Sequence, residues 1–140
     1  MSVLIVIPAR YASTRYPAKP LAMLKGASGQ SRSLIERSWR AASEVTGIDR
    51  VVVATDDERI KVAAEAFGAE VIMTPESCAN GTERCAAAHT ALGGGFDIVV
   101  NLQGDAPLTP HWFVEDLIAD LKVDLVQKFL HQFCVATGRR

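Results

Sequence analysis

The sequence predicts an α/β domain of three layers, with helices on both faces of a mainly parallel sheet. Three observations predict it. The runs Val3-Leu4-Ile5-Val6-Ile7, Val51-Val52-Val53-Ala54 and Ile98-Val99-Val100 are apolar without alternation, the pattern of strands covered on both faces. Segments of helical period separate them. Each connection is long enough for a helical crossover, so right-handed β-α-β units follow.

The first strand ends at Pro8, and residues 10–19 then place Arg10, Arg15 and Lys19 among small and turn-forming residues with no apolar period. Residues 26–31 are small and polar. Ser33-Leu34-Ile35-Glu36 has the spacing of a helix capping box, predicting a helix over about 34–45 that Gly47 terminates. The second strand is Arg50-Val51-Val52-Val53-Ala54. Thr55-Asp56-Asp57-Glu58 supplies the cap and acidic first turn of a second helix, on which Ile60, Ala63, Ala64 and Phe67 share a face up to Gly68. A short third strand, Val71-Ile72-Met73, precedes a helix that starts near Thr82 or Glu83 and stops at Gly93-Gly94-Gly95. The fourth strand, residues 97–102, leads into Gln103-Gly104-Asp105-Ala106-Pro107, and a last helix begins near Pro110. Beyond it Leu125, Val126, Phe129, Leu130 and Phe133 fit one helical face.

Composition narrows the function classes. The chain has 140 residues, 49% of them hydrophobic and 22% charged, which suits one folded domain with a real core. No run of about 18 uncharged apolar residues could span a bilayer, and the N-terminal apolar run is too short for a signal peptide. Three cysteines without paired spacing argue against a disulfide framework or structural zinc site, so a reducing cytoplasm is expected. A net charge of −1 gives no global field for nucleic acid. The positive charge is local, which favours a small anionic ligand.

In the common doubly wound order 3-2-1-4, the first and fourth strands are neighbours where the winding reverses, and ligands of open α/β sheets bind there. The loop carrying Arg10, Arg15 and Lys19 would then face Gln103 and Asp105. Cations opposite a carboxylate suit a nucleoside triphosphate, with Asp105 able to hold Mg²⁺. A GxxxxGK[ST] loop and a GxGxxG after the first strand are both missing, so P-loop and nicotinamide chemistry are unsupported. Asp56 and Asp57 read as helix-start residues, and Trp39 as core. Cys85 and His89, one turn apart, make too few ligands for a metal and read as a helix face.

Four stretches carry a family resemblance. Ile7-Pro8-Ala9-Arg10-Tyr11-Ala12-Ser13-Thr14-Arg15 with Lys19-Pro20-Leu21, then Val53-Ala54-Thr55-Asp56-Asp57-Glu58, Gly81-Thr82-Glu83-Arg84 and Val99-Val100-Asn101-Leu102-Gln103-Gly104-Asp105, resemble 3-deoxy-manno-octulosonate cytidylyltransferase (CMP-Kdo synthetase) in order and spacing. The likeness covers residues 3–121. It implies the Rossmann-like fold of nucleotide-diphospho-sugar transferases (glycosyltransferase A-like) and transfer of CMP from CTP to Kdo, with release of pyrophosphate. Lipopolysaccharide synthesis in the cytoplasm, a Mg²⁺ cofactor and a homodimer are further implications. By motif match Arg10, Arg15 and Lys19 hold the triphosphate, Pro8, Ala9, Ser13, Thr82, Arg84 and Gln103 contact nucleotide or substrate, and Asp105 binds the metal.

The sequence departs from the family at Ala18, where Gly is usual, at Ala106, where a Glu is usual, and in extra residues within 26–33. It is also shorter than the family, and residues 122–140 do not resemble it. The expectation is therefore a nucleotidyltransferase unit over 1–121 followed by a divergent tail over 122–140, a C-terminally truncated member. A catalytically impaired nucleotide-binding remnant and a cytidylyltransferase for another acidic sugar, such as a sialic acid, are the alternatives.

Overall fold

The structure, a computed structural model, describes residues 1–12, 18–103 and 110–136, with side chains of the final helix described as far as residue 125. Strand β1 (Val3–Pro8) is buried at every position and forms the centre of the sheet. Its neighbours are β4 (Arg50–Thr55) and β6 (Ile98–Asn101), and β5 (Glu70–Met73) lies outside β4. All three pairings are parallel, and the order is β5-β4-β1-β6. This is the predicted arrangement, with the reversal of winding between β1 and β6.

Alternation along β1 sorts the core into two layers. Val3, Ile5 and Ile7 point to the face covered by α1 (Leu34–Ser43), α2 (Glu58–Ala66) and α4 (His111–Ala136), where they meet Ile35, Ile60 and Ile118. Leu4 and Val6 point to the other face and pack with Val52, Ala54, and Cys85 and Ala88 of α3 (Gly81–Ala91). Each fully buried aliphatic side chain contributes about 1.5–3 kcal/mol, so the central strand is the main anchor of the fold. One helix against three leaves the second face partly open. Val99, in register with Leu4 on that face, is accordingly exposed.

The helix starts follow their caps. Ser33 Oγ accepts the Glu36 N–H at 3.3 Å, as the capping spacing predicts, and Asp57 Oδ1 accepts the Arg59 N–H at 2.8 Å. Helix α3 starts one or two residues before the predicted position, because Asn80 Oδ1 takes the Glu83 N–H at 2.9 Å and makes Asn80 the cap. Helix α1 ends at Ser43, before residue 45. Its Trp39 is half-buried, with its ring 5.3 Å from that of Phe67. Gly93, Gly94 and Gly95 all have φ between 68° and 88°, which ends α3 in a turn that residues with a Cβ adopt at a cost.

One element has no counterpart in the sequence reading. Met23–Lys25 (β2) and Ser31–Ser33 (β3) pair antiparallel around a Gly26–Gly29 turn. Arg37 of α1 pins this hairpin by donating to the carbonyls of Leu24 and Gln30 at 2.7 and 3.1 Å. Helix α4 runs without a break through residues 121 and 122. Among the described residues no helix is long and apolar enough to cross a membrane.

Candidate active site

The carboxyl ends of β1 and β6 bring Arg10 and Gln103 to one crevice. Ala9 extends the β1 ladder by donating its N–H to the Ala54 carbonyl at 2.9 Å, and Leu102 does the same to Val6 at 3.0 Å. Beyond these bonds the two chains diverge around a cavity of about 360 Å³. Pro8, Ala9 and Arg10 form one wall, Lys19 and Pro20 a second, and Gln103 a third. Cys78, Ala79 and Asn80, just before α3, close it with Gly81 and Arg84 of the first turn of α3.

Six of the residues singled out from sequence therefore share one crevice: Pro8, Ala9, Arg10, Lys19, Arg84 and Gln103. Thr82 does not line it and is exposed on the first turn of α3. Ser13, Arg15 and Asp105 lie outside the described residues. Pro20, Cys78, Ala79, Asn80 and Gly81 line the cavity without having been assigned to it. The signal for the last two was the Asn-Gly pair at the head of the helix, a cap followed by a residue without a side chain.

Each wall has a physical reason for its form. A Cβ on Gly81 would stand 2.8 Å from Gln103 Nε2 and 3.3 Å from Pro8 Cγ, so a larger residue there would displace the Gln103 amide and crowd Pro8. Gln103 Nε2 also donates to Asn101 Oδ1 at 3.1 Å. Arg84 is only 3% exposed, and its guanidinium donates to Thr74 Oγ1 at 2.6 Å and to Asp56 Oδ2 at 3.4 Å. A buried cation needs such partners, which accounts for Asp56 as a structural carboxylate. Asp57 is likewise structural as the α2 cap, and Arg59 beside it holds its carboxyl below the usual range.

The loop returns to the crevice through a strained residue. Ala18 has φ 60°, in the left-handed region, and donates its N–H to the Tyr11 carbonyl at 2.9 Å. Its own carbonyl accepts from Leu21 at 2.9 Å, starting the single 3-10 turn Lys19–Leu21 that sets Lys19 at the cavity. Arg10 and Lys19 are exposed at the mouth, while the N-terminus of α3 adds the positive end of a helix dipole. The crevice can receive a polyanion.

Cys85 and His89 each have a structural role on α3. Cys85 is buried, which pushes its thiol up to about 11, and His89 Nε2 accepts the Phe96 N–H at 3.3 Å. Among the described residues no group of three or more His, Cys, Asp or Glu could hold a metal ion.

A parallel α/β sheet with a cation-lined crevice at its switch point defines a protein of the nucleotide-binding class. The chain belongs to the Cytidylyltransferase family, whose model matches residues 4–137. It is 54% identical over 124 residues to a 3-deoxy-manno-octulosonate cytidylyltransferase of Maricaulis maris, covering 89% of this chain and 46% of that protein. It is 42% identical over 138 residues to the 8-amino-3,8-dideoxy-manno-octulosonate cytidylyltransferase of Shewanella woodyi, covering 98% of this chain and 52% of that protein. Among solved structures it is similar to CMP:2-keto-3-deoxy-manno-octonic acid synthetase complexed with CTP, with a TM-score of 0.79 and 38% identity over 89% of this chain and 48% of that one. The chain spans about half the length of the curated relatives it matches.

Proposed function

We propose that this chain binds CTP in the crevice and transfers its CMP to 3-deoxy-manno-octulosonate, releasing pyrophosphate. The observation that carries the reading is the convergence of Arg10, Lys19 and Arg84 with the α3 N-terminus on one cavity, within a cytidylyltransferase fold. The relatives named for this sugar acid, and the similar structure complexed with CTP, support the choice of both substrates.

The reaction asks for placement more than for a protein nucleophile. A hydroxyl of the sugar acid attacks the α-phosphorus, a new C–O–P link forms, the bond to the β-phosphate breaks, and the hydroxyl proton leaves to solvent. Arg10, Arg15 and Lys19 hold the triphosphate and neutralise charge growing on the departing pyrophosphate. Pro8 and Ala9 offer backbone beside the nucleotide, and Ser13, Arg84 and Gln103 belong to the nucleotide and substrate contacts in this reading, whereas Thr82, outside the crevice lining, is given no contact. Asp105 is the carboxylate we assign to Mg²⁺. Held there, such an ion would supply further charge neutralisation on the phosphates. A homodimer in the cytoplasm, serving lipopolysaccharide synthesis, completes the reading, supported by the family resemblance.

The match to the Shewanella woodyi protein over 98% of this chain favours one second reading, an 8-amino derivative of the same sugar as acceptor. Incubation with CTP, Mg²⁺ and each sugar acid, followed by detection of the CMP-sugar and pyrophosphate, tests both. Product with the unmodified sugar supports the proposal. Product only with the amino sugar selects the second reading. CTP binding with no product from either would leave a nucleotide-binding domain without turnover, and the transferase reading would fall.

A further inference from the structure

Arg59 lies on the first turn of α2 and is not part of the crevice wall, yet it is tied to the loop that leaves the crevice. Its guanidinium carbon sits 3.3 Å from the centroid of the Tyr11 ring. The guanidinium is held along its edge, because Nε and Nη2 donate to the two carboxylate oxygens of Asp57 at 3.0 and 2.7 Å. Asp57 is itself anchored as the cap of α2. The Tyr11 carbonyl, in turn, accepts the Ala18 N–H at 2.9 Å. Tyr11 and Ala18 are thus the two ends of a closed loop, and Arg10 and Lys19, which line the cavity, flank those ends directly.

We propose that Arg59 is a positioning residue for the triphosphate: stacked on Tyr11 and locked by Asp57, it fixes the base of loop 11–18 and so sets Arg10 and Lys19 at the crevice. A planar, delocalised cation held in a fork by a carboxylate presents its face to an aromatic ring in one orientation, which a lysine does not reproduce. The Arg59 side chain is 60% exposed, so its removal uncovers little apolar surface and costs the fold little. Its effect should therefore fall on ligand binding. This inference rests on reading the crevice as a CTP site.

The test compares CTP with CMP, which lacks the two outer phosphates, by calorimetry on the full chain. Arg59→Ala and Tyr11→Leu are each expected to weaken CTP by about fivefold, the value of one stacked cation, while CMP affinity changes by less than about twofold. Tyr11→Phe keeps the ring and is expected to bind as wild type, and Arg59→Lys is expected to behave like Arg59→Ala. Tryptic cleavage after Arg10 under native conditions should quicken severalfold in Arg59→Ala and Tyr11→Leu. An unchanged CTP-to-CMP ratio in both of those variants, or an equal loss of CTP and CMP binding accompanied by a lower melting temperature, would overturn the positioning role while leaving the CTP site in place. Wild-type protein that binds no CTP would overturn the site itself, and this inference with it.

Discussion

Ala18 holds a backbone conformation that suits glycine, and it does so where the cation loop rejoins the crevice. The left-handed region costs a residue with a Cβ roughly 1–2 kcal/mol, part of which a glycine loses again through unfolded-state entropy. Ala18→Gly is therefore expected to raise stability by about 0.5–1 kcal/mol, read as a higher urea midpoint at constant m value. A lower midpoint would contradict the strain. The cysteines provide a second comparison at this scale. Burial raises the Cys85 thiol to about 11, whereas Cys78 is half-buried at the cavity wall. Near neutral pH, iodoacetamide should modify Cys78 well before Cys85, and CTP should slow the reaction at Cys78; peptide mass mapping distinguishes them. Among individual residues, Arg10 and Lys19 were legible because charge clustered just after a buried run stands out in one dimension. The burial of Arg84 between Thr74 and Asp56 was not, since its partners come from the segments after β4 and after β5 and meet only in the folded chain.

Elements were read best where periodicity extends over several turns or strand residues. The four sheet strands and four helices follow from such runs, and the caps Ser33 and Asp57 stand within the segments expected to hold them. The β2–β3 hairpin escaped because its strands are three residues long, largely exposed and without an apolar alternation to betray them. Helix α4 docks through Val114 and Ile118, and Glu115 between them accepts from the Thr46 N–H and hydroxyl at 2.9 Å each. Those bonds, with a smaller effect from His111, hold the Glu115 carboxyl below its ordinary 4.5. A depressed carboxyl contributes stability that is present above the unfolded value and is lost as pH falls through the folded one. Glu115→Gln should accordingly be less stable than wild type at neutral pH, with the gap narrowing as pH drops below 4.5. Urea midpoints measured across that range would show it. A gap independent of pH would contradict the charge-assisted link.

At the scale of the molecule, the alternation of strand and helix gave the sheet order, because parallel strands joined by right-handed crossovers leave few alternatives. The same logic put the two loops on one crevice before any side chain was located. What the pattern could not convey was uneven coverage: three helices pack on one face and one on the other, which leaves Val99 exposed. The contribution of α3 to the cavity was similarly hidden, because it depends on how closely Gly81 lets that helix approach Pro8 and Gln103. The central claim is that this crevice holds the triphosphate of CTP through its cations. Calorimetric titration of wild type and Lys19→Glu with CTP, alongside circular dichroism to confirm folding, tests it most directly. The account predicts saturable binding by wild type and a loss of at least about tenfold in the variant, the value of one charge-assisted contact. Equal affinity in two folded proteins, or no binding by wild type, would contradict it.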